Sequence, residues 1–238
     1  MSRCLAASLS AVLFMSIACA SGSSPEPVDV RVTIENVGEP GALGSSTSDE
    51  VRDILLSPGI WGVHTSSARL FEPGEPATSG LTMLAEQGDA SLFALELSQR
   101  PEVTSYGGFP PGADGASYDE LPIRPGDTAT FDLSALSDER LSIATMFIHS
   151  NDVLVATPPE GLVLDLEPGQ VVDVSSRLEL WDAGTERNEE PGFGDAQPMQ
   201  GPGGERENGV VHRIEGTDAA GWSYPDPVGF VRVTLERR

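Results

Sequence analysis

An all-β fold, an antiparallel β-sandwich with one or two short helices and long loops, is what this sequence predicts. Runs of residues alternate apolar and polar with a period of two and are rich in β-branched side chains. Turn signals such as Arg124-Pro125-Gly126-Asp127 and Glu167-Pro168-Gly169-Gln170 separate these runs at short intervals. The chain also carries 26 Gly and 19 Pro, concentrated in the connections, which suits a sandwich better than any helical class.

The run 28–36, Val-Asp-Val-Arg-Val-Thr-Ile-Glu-Asn, is a half-buried strand by its alternation. Its counterpart near the far end, 228–236, shows the same pattern, so first and last strands are expected to lie close together. Residues 48–56 open on Ser48 and keep helical spacing, which predicts a short helix, as does the run 81–87 after Ser79-Gly80. Further strands are predicted over 60–65, 91–97, 128–133, 141–149, 161–166, 171–181 and 210–214. Two stretches, 106–121 and 187–208, read as long loops of the kind that carry function. Tyr106, Phe109 and Tyr118 in the first are candidates for an exposed contact surface, whereas Trp61, Trp181 and Trp222 read as packing residues.

Residues 1–19 read as an export signal: Arg3 supplies a positive start, an apolar stretch follows, and Ala18-Cys19-Ala20 offers small residues for cleavage. The apolar stretch is too short for a spanning helix. Ser16-Ile17-Ala18-Cys19 also approximates a bacterial lipobox, with Ser16 where leucine is usual, so secretion and lipid anchoring through Cys19 both stand. A polar tether, 20–27, leads into one domain over 28–238. The two cysteines, Cys4 and Cys19, fall in the signal, so no disulfide is expected in the domain and burial or a bound ion must hold it. A net charge of -23 with no lysine at all disfavours nucleic acid and anionic membranes as partners. Most of that charge reads as solvated surface.

The densest chemistry lies in Leu178-Glu179-Leu180-Trp181-Asp182-Ala183-Gly184-Thr185-Glu186-Arg187-Asn188-Glu189-Glu190. An alternating run stops at an aspartate, a small flexible turn follows, and carboxylates crowd the loop. Such crowding is costly unless a cation or hydrogen-bond donors compensate it, and a hard divalent ion is the natural compensator. This segment, together with Ser150-Asn151-Asp152, the strand before it and Ser57-Pro58-Gly59-Ile60-Trp61-Gly62-Val63-His64, resembles the spondin N-terminal domain family in its bacterial form. The resemblance runs from about Val28 to Leu235 and implies a C2-like β-sandwich with a calcium site. Carried over residue by residue, it implies Asp152 and Asp182 as acidic ligands and the Leu178 carbonyl beside them. Asp132 is implied as a further acidic ligand, with Glu139 its competitor. Calcium is the implied ion, with manganese the alternative.

The resemblance further implies an exported, non-catalytic recognition or adhesion module. Its partner is an unidentified extracellular or envelope protein or glycan. Two other readings stand beside it: a secreted hydrolase using Asp152 and Asp182 as an acid and base pair, and a structural envelope lipoprotein that binds no ion. The residue patterns of common hydrolases are missing, since there is no Gly-x-Ser-x-Gly elbow and no His-Glu-x-x-His pair. His149 and Ser150 are adjacent, so in a strand they point to opposite faces and make a poor dyad.

Overall fold

Strand β1 (Pro27–Asn36) buries every second side chain, Val28, Val30, Val32 and Ile34, as its alternation requires. It is the second-from-edge strand of a four-stranded antiparallel sheet ordered β10 (Val171–Asp173), β13 (Val231–Arg237), β1 and β6 (Thr128–Leu136). The register pairs Val32 with Leu235 on one side and with Phe131 on the other. First and last strands are therefore neighbours. This computed structural model describes residues 25–112, 116, 119–201 and 203–238. The export signal, Cys19, most of the tether and Tyr118 lie outside the described residues.

The second layer is a seven-stranded sheet. It contains β4 (Leu56–His64), β5 (Val103–Phe109), β7 (Arg140–Phe147), β8 (Val153–Ala156), β11 (Glu179–Asp182) and β12 (His212–Ile214), in the order β12-β11-β8-β7-β4-β5. The short β9 (Leu162–Val163) pairs with β7, and β2 (Leu43–Gly44) and β3 (Val51–Arg52) form a separate ribbon. All of these pairings are antiparallel. The all-β sandwich expected from the sequence is thus the architecture observed.

Between the sheets lies the main core, built from Val30, Val32, Ile34, Phe131, Leu141, Ile143, Phe147, Val155 and Leu180 among others. A second core fills the outer face of the seven-stranded sheet, where Ile60, Ala144, Leu154 and Trp181 pack against helices α1 (Ser79–Gln87) and α2 (Ser91–Ser98). The central strands β7 and β8 are therefore apolar on both faces, which is why they read as continuous hydrophobic runs. The helices meet closely at Gly80, where a Cβ would lie 2.6 Å from the Phe93 Cα. Glu96 on α2 accepts from the Gly80 N–H at 2.7 Å and so caps the start of α1 from outside. No helix among the described residues is long and apolar enough to cross a membrane.

Several elements differ from expectation. Residues 91–97 form α2 rather than a strand, and 48–56 are extended, because Val51 and Arg52 pair with β2 while Ile54 and Leu56 are buried beneath the ribbon. The run 171–181 is two strands: a 3-10 turn at Ser175–Arg177 lets the chain leave the four-stranded sheet after β10 and enter the other as β11. The start of the loop expected at 106–121 belongs to β5; there Tyr106 is exposed but Phe109 is fully buried, stacked on Phe131 at 5.8 Å.

Candidate metal centre

Antiparallel pairing of β8 with β11 sets Val153 opposite Asp182. The residue before Val153 must then fall beside the residues after Asp182, and the Ala183 N–H indeed donates to the Asp152 carbonyl at 3.1 Å. Two aspartates thirty residues apart in the chain thus meet at one end of the seven-stranded sheet. The turn delivering Asp152 is held by Ser150, whose hydroxyl donates to the Phe147 carbonyl at 2.6 Å and accepts from the Val153 N–H at 3.0 Å.

Asp152 is fully buried. Its Oδ2 accepts from the Thr185 N–H at 2.6 Å, the Thr185 hydroxyl at 3.0 Å and the Glu186 N–H at 3.0 Å. Its Oδ1, equally buried, meets no donor. Asp182 is also buried; its Oδ1 accepts from the Gly184 N–H at 2.6 Å, closing an Asx turn, and its Oδ2 accepts from Asn188 Nδ2 at 2.5 Å. Only glycine serves at 184, where φ is +69° and a Cβ would meet the Val210 nitrogen at 2.6 Å. His212, opposite Asp182 on β12, places Nε2 3.8 Å from Oδ2 and is a cation only when protonated.

Burial and then the neighbouring Asp182 charge push the Asp152 carboxyl up to about 7, despite the three donors on its Oδ2. Asp182 is raised as well, again by burial first; Gly184, His212 and Asn188 restrain the rise and Asp218 adds to it. The site therefore holds more negative charge than its own donors neutralise. One further buried oxygen without a donor lies beside them, Asn188 Oδ1, and the buried Tyr224 hydroxyl faces the Asp218 carboxylate. Burial and then the charges of Asp218, Asp182 and Asp152 all raise the Tyr224 phenol.

The loop that follows is folded back onto this centre. The Arg187 N–H donates to the Glu205 carbonyl at 2.8 Å and the Glu207 N–H to Thr185 at 3.0 Å, pinching the loop at its base. Fully buried Gln197 accepts from the Gly192 N–H and donates to the Glu190 carbonyl, both at 2.9 Å. Asn151, next to Asp152, accepts from the Glu189 N–H at 3.0 Å. Glu186 is buried too, raised by that burial, and accepts from the Gly204 N–H at 2.9 Å.

The structure brings Asp152 and Asp182 together and leaves the other expected ligands elsewhere. Asp132 sits on β6 in the four-stranded sheet, 61 % exposed at its side chain, where it forms a two-pronged ion pair with Arg31 at 2.8 and 2.9 Å. The Arg31 guanidinium holds its carboxyl below the usual carboxylate range. Alternation decides this placement, since Asp132 stands between inward-facing Phe131 and Leu133 and must point out. Leu178 precedes β11, roughly 13 Å from Asp182 at about 3.3 Å per residue of strand. Glu139 accepts from the Leu136 N–H at 2.7 Å in the β6–β7 turn, at the opposite end of β7 from Asp152. Asn188, Gln197, Asp218, Tyr224 and His212 were not legible as site residues; only the polar density after Asp182 signals the first two.

Carboxylates and amide oxygens are the hard donors that suit calcium, and an unpartnered buried carboxylate oxygen beside a second carboxylate fits such an ion. Among the described residues, no three His, Cys, Asp or Glu side chains are grouped closely enough to hold a metal by themselves. The centre is thus a two-carboxylate core with the Asn188 amide beside it and the Asp218 charge acting on it. A serine–histidine pair that the sequence did not suggest occurs elsewhere: His64 Nε2 lies 2.8 Å from the Ser142 hydroxyl and Nδ1 lies 2.9 Å from the Thr65 carbonyl. Both side chains are buried between β4 and β7, so the pair serves as a cross-strand tie. No protein-family model matches the chain, and no curated protein matches it significantly.

Proposed function

We propose that this chain is an exported, non-catalytic β-sandwich module of spondin type that binds calcium between Asp152 and Asp182 and presents the adjoining loops to an extracellular or envelope partner. The observation that carries the reading is the fully buried Asp152: one oxygen takes three donors, the other takes none, and the carboxyl stands about three pH units above its ordinary range beside a second aspartate. A cation at the free oxygen relieves both the burial cost and the repulsion. Asp152 and Asp182 would hold the ion, with Asn188 supplying an amide oxygen; calcium takes about six to eight oxygens, so main-chain carbonyls and water would complete the shell. The ion's part is structural, neutralising the pair so that 183–197 stays folded against Asn151. Full burial of both carboxylates also supports a structural ion over acid and base chemistry on a bulky substrate.

Titration calorimetry with calcium tests this, with Asp182→Ala alongside. The expected result is saturable binding by the parent, none by the variant, and a higher melting temperature for the parent alone when calcium replaces chelator. Equal melting of the parent in calcium and in chelator overturns the proposal.

A further inference from the structure

Beside the metal centre, a cleft of about 500 Å³ opens between the loop after Asp182 and the hairpin that the Thr217–Ser223 bridge closes. Its walls include Asn188, the same residue that donates to Asp182. Two aromatic rings line it, Phe193 and Trp222, each half-buried with its inner face packed on the main core. Four carboxylates, Glu189, Glu190, Asp195 and Glu205, line it with them, together with the Arg187 guanidinium, while Arg52 lies over the Phe193 ring. Arg187 reaches only Glu205, at 3.5 Å and with both side chains more than 70 % exposed, so it neutralises little.

The two inner carboxylates are fixed before any ligand arrives. Glu189 Oε2 accepts from the Ala196 N–H at 2.9 Å, and Glu190 Oε1 accepts from the Ser46 N–H. The aromatic component has an internal precedent, because the Arg52 guanidinium already lies 5.1 Å from the centre of the Phe193 ring. A flat aromatic face flanked by carboxylates suits a guanidinium, which stacks on rings and forks onto carboxylates, better than an ammonium. The volume admits one such side chain with its adjoining main chain.

From this we infer that the cleft takes an arginine side chain presented by an extended basic segment of a partner protein, stacked on Trp222 and paired with the acidic wall. The inference names the class of partner for the proposed contact loops and rests on that reading. Asn188 ties the cleft to the cation, so the ion sets the position of one wall.

The test uses a short acetylated and amidated peptide of alternating glycine and arginine, and the same peptide with citrulline for arginine, titrated into the purified protein while the heat of binding is followed. The expected result is saturable binding of the arginine peptide, at least fivefold weaker for Trp222→Ala and for the double variant Asp195→Asn with Glu205→Gln, and at least tenfold weaker for the citrulline peptide. Equal binding of the two peptides, an unchanged Kd in both variants, or no binding at all overturns the inference. Circular dichroism of each variant guards against misfolding, and Trp222→Phe, which keeps an aromatic face, is expected to retain most of the affinity. The titration is repeated in calcium and in chelator. Arginine-dependent binding by a protein that shows no calcium heat upholds the cleft while removing the cation reading; calcium binding without peptide binding does the reverse.

Discussion

Replacing Asp152 with asparagine tests the electrostatic account of the centre most directly. In the folded, cation-free protein the carboxyl is pushed up to about 7, against 3.8 for the unperturbed side chain. A carboxyl whose affinity for protons is raised by folding favours the folded state at low pH, and that advantage is lost as pH rises from about 4 through about 7. At about 1.4 kcal/mol per pH unit, the advantage lost is about 4 kcal/mol by pH 8 and between about 1 and 2 kcal/mol by pH 5, where the folded carboxyl is still protonated. Asparagine is close to the protonated carboxyl in shape: its Oδ1 accepts from Thr185 and Glu186, and its Nδ2 turns toward the side where Oδ1 of the aspartate finds no donor.

In chelator, Asp152→Asn is therefore expected to melt higher than the parent at pH 8, by roughly 10 °C at about 2–4 °C per kcal/mol for a chain of this size, with the gap narrowing at pH 5. With calcium at about a thousand times its Kd, the parent gains about 4.1 kcal/mol and the variant gains nothing, so the gap closes. Thermal melts by circular dichroism at pH 5, 6, 7 and 8, in calcium and in chelator, measure this. A variant that melts below the parent in chelator at pH 8 refutes the reasoning, because it shows that the three hydrogen bonds on Oδ2 outweigh the burial and repulsion.

Gly184→Ala is expected to cost at least about 2 kcal/mol and to abolish calcium heat, because the new Cβ meets the Val210 nitrogen at 2.6 Å and φ at +69° disfavours any side chain. Denaturant melts with calcium calorimetry read both effects. Burial depresses His149 to about 4, so it favours the folded state above pH 6.5 and loses that advantage as pH falls toward 4, by about 3 kcal/mol in all; His149→Gln should flatten this acid limb in pH-dependent melts. Gln197→Ala removes a buried tie from the loop after Asp182 and is expected to cost about 1–3 kcal/mol and to weaken calcium binding, read by the same calorimetry. Asp132→Asn breaks only an exposed ion pair with Arg31, so the calcium isotherm and the melting temperature should both stay where they are.

Strands whose two faces differ were legible from alternation alone: β1, β6 and β13 bury one face and show the other to water. Residues 91–97 misled because Leu92, Ala94 and Glu96 alternate with Ser91, Phe93, Leu95 and Leu97 in a run too short for either period to dominate. What makes this run a helix is tertiary: Phe93 and Leu97 fill the space over the seven-stranded sheet, and Glu96 accepts from the Gly80 N–H at the start of α1, adding to the Thr78 cap. The segment 48–56 failed for the converse reason. Its helical spacing was outweighed by main-chain pairing with β2 and by the Asn36 side chain, which donates to the Ile54 carbonyl at 2.8 Å across the fold. Neither partner is visible in the local pattern.

The same division governs the candidate site. The resemblance singled out Asp152 and Asp182, and each ends or begins a strand; once β8 and β11 run antiparallel with Val153 opposite Asp182, the two carboxylates have little freedom to separate. Asp132 lies on a strand as well, and its parity within β6 sends it outward as surely as it sends Phe131 and Leu133 inward. Asn188 and Gln197 belong to a segment with no period, whose course is set by main-chain N–H groups donating to the His149 carbonyl and to the Asn151 side chain on a loop far away in sequence. A calcium ion between the aspartates would act on that segment through Asn188, whose amide nitrogen donates to Asp182 Oδ2. An ion there would favour the opposite amide orientation, with the oxygen inward and the nitrogen freed toward the acidic cleft, and would couple the proposed cleft to calcium. Asn188→Ala should accordingly leave arginine-peptide affinity equal in calcium and in chelator, whereas the parent should differ between the two; an equal response in the parent removes the coupling.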